Sequence, residues 1–523
     1  MKKSKIYPVL SVKKLIFIFC LFTLTAITIY AQAPDNRIGR DTVIISNYQE
    51  FLVDTILNNS GEQIEPDLAF DGTNYFIVWR YQNRYIYGAF INASSMVTGG
   101  SGFLLFPPLS WYDGNYDPAI SFDGNNYMLT WYAGKAIWCS LVSFSGIPYD
   151  TLILAEAEGE QEGVWFPEIS FGENKYFIIW DYGIQVHNHC YNSLNGSFID
   201  TSGIVINDSI IVSDNDSCSR NYLDSDLEFD GTNYLVVWGQ SNNVWWWIPP
   251  NNIYCARVSS SGTVIDTSAI EIAAGIENES SPSIAFDGTN YLVVYEKGND
   301  GFYDDIYGVR VSPSGVVLDP NAIPISTAPN EQRNPEVIYN GNNYIVVWQD
   351  NRSGSDFDIY GTVVKESGEV ENSFPVSVQP GDQVDPALTK GPGNQILVVY
   401  SGWTSTYNGY YYNTMRIWGA KMDVAVGIEN NNSNIVTNYA LFQNYPNPFN
   451  PVTTIKYQIP KSGFVILKVY DVLGKEVATL VNEKQSVGSY EVDWDGTGYP
   501  SGVYFYRLVT EDYTNVKKMV LLK

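Results

Sequence analysis

Pro282-Ser-Ile-Ala-Phe-Asp-Gly-Thr-Asn-Tyr-Leu-Val-Val-Tyr295 decides the fold, because the chain repeats this pattern seven times. Related stretches run from Pro66 to Trp79, Pro118 to Trp131, Pro167 to Trp180, Ser225 to Trp238, Pro335 to Trp348 and, degenerate, Pro386 to Tyr400. Their starts lie 52, 49, 58, 57, 53 and 51 residues apart. A fixed period of this size marks a solenoid, propeller or array. Within each copy, Asp-Gly-Thr-Asn or its variants tolerate positive φ and make a tight turn between a short strand and a second one, apolar on both faces. Such a run is buried on both sides. A third strand follows (Ile306 to Val311, echoed by Ile86 to Ile91, Ile137 to Val142, Ile253 to Val258, Ile359 to Val364 and Ile417 to Met422), and a fourth ends in segments such as Ile323-Pro-Ile-Ser326.

Four antiparallel strands per roughly 50 residues is the unit of a β-propeller blade. The seventh copy stops after its third strand, near Asp423, while Phe51 to Leu57 reads as a lone fourth strand ahead of the first copy. The fold class expected is therefore all-β: a seven-bladed β-propeller closed by an N-terminal strand that completes the last blade. An open solenoid would leave exposed edges, and nothing in it would call the missing strand to the front.

Outward from the repeats, the N-terminus carries Lys2, Lys3, Lys5, Lys13 and Lys14, an apolar run from Leu15 to Tyr30, then Ala31-Gln32-Ala33. This is a signal-peptide pattern over residues 1–33, with cleavage after Ala31 favoured because Pro34 follows Ala33. The run is short for a membrane span of roughly 20 residues. Its removal leaves 25 basic against 57 acidic residues. So acidic a chain is a poor partner for nucleic acid or anionic membranes. No integral membrane span is expected after cleavage.

Residues 34–426 form the expected propeller, 427–440 an Asn-rich linker and 441–523 a small β-sandwich with strands at Thr453 to Ile459, Phe464 to Tyr470, Ser489 to Trp494, Val503 to Val509 and Val516 to Leu522. The motif Tyr445-Pro446-Asn447-Pro448-Phe449-Asn450-Pro451 opens it. Val469-Tyr-Asp-Val-Leu-Gly474-Lys475, Ser501-Gly502-Val-Tyr-Phe-Tyr-Arg507 and Lys517-Lys518-Met-Val-Leu-Leu-Lys523 follow. On these motifs the stretch resembles the type A, Ig-like C-terminal sorting domain of the type IX secretion system. The resemblance implies export by a Sec signal and a type IX-like route, contact with the secretion machinery, and a secreted or cell-surface location outside the outer membrane. The repeats themselves look like those of secreted bacterial proteins of undefined role, which implies no activity.

Alternating strand direction puts the short, uniform turns on one face and the variable loops on the other, where function usually lives. Aromatic residues are dense there: Trp111 and Tyr112, Trp165, Trp245, Trp246 and Trp247, Trp403, and Tyr410, Tyr411 and Tyr412. Aromatic platforms stack on sugars and anchor protein partners. Acids flank the Pro that opens most copies: Glu65 and Asp67, Asp117, Glu168, Asp224 and Asp226, Glu336, and Asp385. If first strands line a central channel, these carboxylates ring its mouth. Glu65, Asp117, Glu168, Asp226, Glu336 and Asp385 would then offer oxygen ligands to Ca²⁺, the one cofactor the sequence suggests. Capping of turns by Asp and Glu is the plainer account.

Cys139, Cys190 and Cys255 are placed at the Gly308 position of their copies, too far apart to bridge. Only a Cys190–Cys218 disulfide stays open. No nucleophile elbow, phosphate loop or Ser/His pair is present. The leading expectation is a non-enzymatic binding or adhesion propeller for a glycan or surface protein. The alternatives are a polysaccharide-acting hydrolase or lyase using the carboxylates, and a structural surface-layer protein. A chain truncated before Gln443 is expected to reach the periplasm and stop there; its unchanged appearance at the cell surface, measured by fractionation, would overturn the sorting-domain assignment.

Overall fold

The computed structural model describes residues 42–522 apart from 55–60, 94–101, 109–113, 187–188, 216–221, 242–250, 276, 300–301, 408–409, 428–438, 443, 445–446, 462, 486–487 and 511–512. The signal segment and most of the linker therefore lie outside the described residues. Those described fall into two compact units, residues 42–427 and residues 439–522.

The first unit holds seven four-stranded antiparallel sheets. Six take consecutive strands, as in the first: Gln63–Phe70, Asn74–Tyr81, Tyr85–Asn92 and Phe103–Phe106. The seventh is composite. Gln383–Lys390, Gln395–Tyr407 and Tyr410–Gly427 are completed by Thr42–Leu52 from the chain start, which runs antiparallel to the last of them, with Thr42 opposite Gly427 and Leu52 opposite Trp418. The closing strand thus lies nine residues upstream of where the sequence reading began it. The first strands of successive sheets touch in order, and that of the seventh touches that of the first, so the unit is propeller-like.

The turn chemistry follows the repeat. In the first sheet the Asp71 carboxylate accepts the Thr73 and Asn74 N–H groups at 2.7 and 2.6 Å, and Gly72 supplies φ +94°. A buried Tyr follows the turn in six of the seven sheets (Gln395 stands there in the seventh), and five of these hydroxyls reach the preceding sheet. Tyr127 donates to Asp71 Oδ2 at 2.9 Å, Tyr176 to the Asn126 carbonyl at 3.2 Å, Tyr234 to Gly172 at 3.0 Å and Tyr344 to Asn290 at 2.7 Å. Tyr75 of the first sheet donates to Gln395 of the seventh at 2.8 Å. Between sheets, second-strand runs such as Leu292 to Val294 pack against the next sheet's core.

A polar side chain three residues before the repeat start ties down the loop entering each of several sheets. Asn115 donates to Pro107 O at 3.2 Å, Gln332 to Asn330 O at 3.1 Å and Gln383 to Gln379 O at 2.9 Å. At the closure, Gln63 donates to Asp54 Oδ2 at 2.6 Å and accepts the Ile417 N–H at 3.2 Å. Arg416, fully buried, pairs with buried Asp54 at 3.4 Å.

Gly196, not Cys190, occupies the Gly308 position: Gly196 faces Ile179 as Gly308 faces Val294, while Cys190 lies farther out opposite Gln185. The cause is an extended hairpin, Lys175–Val186 and His189–Asp200, longer than in any other sheet but the seventh. Cys139 and Cys255 are buried free thiols, and Cys218 lies outside the described residues.

The second unit packs Ala440–Leu441, Val452–Ile459 and Gly488–Asp495 in one sheet. Glu476–Gln485, Gly463–Tyr470, Gly502–Val509 and Thr514–Leu521 form another. Alternate residues such as Ile455, Leu467, Tyr506 and Met519 form its core. The sequence pattern misses Glu476–Gln485 because this edge strand is mostly exposed and carries little alternation. Phe449 of the opening motif is buried against Trp494 and exchanges backbone hydrogen bonds with Val520 and Leu522, at 2.9 Å each. Asn447 Oδ1 accepts the Val520 N–H at 2.9 Å. Gly474, at φ +78°, shapes the hairpin tip closed by Asp471, and Gly502 opens a strand. Tyr445 and Pro446 lie outside the described residues.

Replacing Arg416 by Met leaves the Asp54 carboxylate buried without its cation, which typically costs about 3–5 kcal/mol. Urea unfolding should show that loss, and adding Asp54→Asn should recover part of it. An Arg416→Met protein of unchanged stability would show that the closure does not depend on this pair.

Candidate active site

Each first strand carries a β-bulge at the same place, on the residue before the repeat-opening position. Pairing in the first sheet jumps from Ile64 to Asp67, and in the sixth from Arg333 to Glu336, with equivalent shifts in the other five. The bulged residues Glu65, Asp117, Phe166, Asp224, Ser281, Asn334 and Asp385 all have φ between +47° and +54°. That conformation costs an L-residue roughly 1–2 kcal/mol. A bulge re-aims a side chain. Here it turns the variable residue of each sheet toward one cavity of about 500 Å³, which all seven sheets line.

Two sets of carboxylates share this cavity. The residues after the Pro position partly serve the scaffold. Asp67 accepts the Ile120 N–H of the next sheet at 2.7 Å, Asp226 accepts that of Ile284 at 2.9 Å, and Ser283 accepts that of Val337 at 3.2 Å. Glu168 and Glu336 occupy the same position; Glu336 accepts the Ser283 hydroxyl at 3.0 Å. The bulged residues stand at the mouth. Arg80 forms an ion pair with Glu65 and lies over the Tyr116 ring, 5.0 Å from its centre. Ser281 donates to Asp224 at 3.2 Å. No Lys, Arg or His is among the residues lining the cavity.

Crowded acids removed from water resist ionisation. Burial, with Glu65 next and Arg80 opposing, pushes Asp117 up to about 7; a hydrogen bond to Glu65 adds to the rise. Burial against two backbone hydrogen bonds leaves Asp67 at about 7 and Asp226 at about 6. Burial and then Glu65 raise Asp385 to about 6, with Arg80 pulling the other way. Glu168 and Glu336 are driven well above the carboxylate range by burial and by neighbouring acids, Asp226 first. Deeper on the same strand as Asp226, burial lifts Glu228 to about 8.

The structure thus brings the Pro-flanking acids together. Among the described residues, no three His, Cys, Asp or Glu side chains form a group that could hold a metal ion. The aromatic residues are more scattered. Trp165 and Trp403 are exposed (37% and 44%), whereas Tyr412 is buried against Arg416. Trp403 and Tyr410 to Tyr412 belong to the long hairpin Gln395–Tyr407 and Tyr410–Gly427 and not to a loop. Trp111, Tyr112 and Trp245 to Trp247 lie outside the described residues, as do the side chains of Tyr410 and Tyr411. Sequence reasoning misses Phe166 as a mouth residue, 45% exposed, and misses the buried acids Asp181 and Glu296, which are not among the residues lining the cavity. The signal was available: the residue after the aromatic that closes each repeat (Arg80, Tyr132, Asp181, Gly239, Glu296, Gln349, Ser401) is polar or small after a buried run.

No curated protein matches the sequence. Solved structures do. A thermostable family-43 glycoside hydrolase is 14% identical with a TM-score of 0.34, covering 52% of this chain and 97% of that one. The arabinanase Arb43A of Bacillus subtilis is 16% identical with a TM-score of 0.31, covering 49% and 97%. A puromycin-hydrolyzing peptidase of Mycobacterium tuberculosis is 10% identical with a TM-score of 0.43, covering 78% and 61%. The expectation of a non-enzymatic adhesion protein is not kept: it rested on an aromatic platform, and of those aromatics the described ones divide between exposed Trp165 and Trp403 and buried Tyr412. Residues 443–522 match the family described as Secretion system C-terminal sorting domain. The chain is therefore addressed for export, to the cell surface or beyond, and its last unit engages the secretion machinery.

Proposed function

We propose that residues 34–426 are a closed seven-bladed propeller acting as a glycan hydrolase at the mouth of its central cavity. A cleavable signal over residues 1–33 precedes it, and a linker at 427–440 joins it to the sorting sandwich at 441–523. The observation that carries this reading is the pair Asp117 and Asp385, two carboxyls of different acidity on either side of an Arg-held carboxylate, Glu65. Glycoside hydrolysis uses two carboxyl groups, one protonated to serve the leaving oxygen and one ionised to activate water or attack. Environments that push two pKa values apart assign those roles. Asp117, raised by burial and by Glu65, to which it hydrogen-bonds, takes the general-acid role, and Asp385, which accepts from Asn334 at 3.5 Å, that of the base. Glu65, held by Arg80, keeps the Asp117 proton in place. Phe166, exposed between Asp117 and Asp224 in sheet order, gives a sugar ring an apolar face on which to stack. Neutral plant polysaccharides such as arabinan and xyloglucan are the first substrates to test, since an acidic mouth repels uronic acid chains.

Reducing-sugar release should follow a bell with its maximum between pH 6 and 7. It rises as Asp385 ionises through about 6 and falls as Asp117 loses its proton through about 7. Asp117→Asn should lower kcat by roughly 10²–10⁴-fold and remove the alkaline limb. Turnover by Asp117→Asn equal to that of the parent would end this assignment.

The same protonation states mark stability. Acids whose folded pKa is raised stabilise the fold below the unfolded pKa and lose that contribution as pH rises through the folded value. Asp67, Asp117, Asp226 and Asp385 should therefore make Tm fall between about pH 4 and pH 7. Glu168→Gln should flatten that fall in a calorimetric pH series. A Tm that climbs steadily over this range would contradict the protonation states.

A further inference from the structure

The mouth has two unlike halves. On the side of the seventh, first and second sheets, Arg80 offsets Glu65, Asp117 and Asp385. On the side of the third, fourth and fifth, the strongest influences on Asp181, Asp224 and Glu296 include no cation: they are burial, Asp224 acting on the other two, Asp304 acting on Glu296, serine hydroxyls and a backbone N–H, while Arg333 pairs with Asp304 at 3.9 Å. Asp181 is 7% exposed, and its Oδ1 has no hydrogen-bond partner. It lies opposite Trp165 in the sheet, beside the bulge that presents Phe166, and it feels the charge of Asp224. Glu296 accepts the Asn334 N–H at 2.7 Å and the Ser280 hydroxyl at 3.2 Å. A buried acceptor without a donor, facing other acids, calls for a compact cation that brings hydrogens of its own.

A primary ammonium has one positive charge and three donors and needs no acceptor. Exposed Trp165 and Phe166 next to these acids favour an ammonium carried on a ring, because a sugar face can stack while its amine points to the carboxylates. We propose that the Asp181–Asp224–Glu296 side of the mouth is a subsite for the free amine of a de-N-acetylated amino-sugar glycan. This inference rests on reading the mouth as a glycan site, but not on turnover there. Uronic acid chains are excluded by the same charge, and N-acetylation removes both the charge and two of the donors.

Calorimetric titration of the full chain with a glucosamine hexamer, its N-acetylated counterpart and a hexalysine peptide tests it. The glucosamine hexamer should bind at least tenfold tighter than the N-acetylated one, about 1.4 kcal/mol. Asp224→Asn should abolish that preference while Thr73→Ala, in the tight turn Asp71 to Asn74 and not among the cavity-lining residues, keeps it. Glu296→Gln provides a second route if Asp224→Asn does not fold by thermal unfolding. Equal affinity for the two hexamers, a preference that survives in the folded subsite variants, or hexalysine binding as tightly as the sugar would each overturn the proposal. Reducing-sugar release measured on the same samples separates the two readings. An amine preference without turnover leaves the subsite and removes the hydrolase; turnover without the preference does the reverse.

Discussion

The first unit depends on a hydrogen bond made by one residue type at one place in the repeat: the buried Tyr after the tight turn, which in five of the seven sheets reaches to the sheet before it. Every sheet buries both of its faces, so none is stable alone and each needs its neighbours fixed in angle and height. Apolar packing is non-directional and does not set that relation. Phenol-to-turn contacts such as Tyr127 to Asp71 and Tyr344 to Asn290 do, because a buried hydroxyl must find its acceptor. The same link from Tyr75 to Gln395 joins the last sheet to the first. Its geometry leaves no room for a side chain at Gly391, which would run into the Tyr75 hydroxyl.

A second repeated device separates scaffold from chemistry. The bulge before the Pro position has the same backbone in all seven sheets, at positive φ, while its residue type varies from Glu and Asp to Phe, Ser and Asn. The backbone strain is constant and the side chain is free to differ, as befits a site borne on a rigid frame. The next position but one does opposite work. Asp67, Asp226 and Ser283 are committed to backbone amides of the neighbouring sheet. Of two cavity-lining residues two apart in the sequence, one thus also holds the frame.

This division sets what the sequence could disclose. The period, the Asp-Gly-Thr-Asn turns, the missing last strand and the sorting motifs are local patterns, and each is visible in the chain as written. The acids beside Pro are visible too, but a string of letters does not show that a bulge turns Asp117 and Asp385 to one mouth. The partnership of Arg80 with Glu65 joins two strands through register, which a bulge shifts by one residue. Cys190 was misplaced for the same reason: an extended hairpin moves every later residue outward without altering the composition of the strand. The aromatic cluster at Tyr410 to Tyr412 looked like a loop because strand continuation there depends on pairing with Gln395–Tyr407, not on local preference.

The composite seventh sheet gives the chain a direction in time. Its outer strand, Thr42–Leu52, is among the first segments made, and its partner, Tyr410–Gly427, is the last of the unit. Loop closure over such a separation is slow, and the early strand must wait unpaired while six sheets form behind it. An unpaired edge is a template for association with other chains, so the interval before closure is when this protein is most exposed to error. The sorting domain begins just beyond the partner strand. Made from N- to C-terminus, the chain therefore gains the means to close its ring before it carries a complete export address.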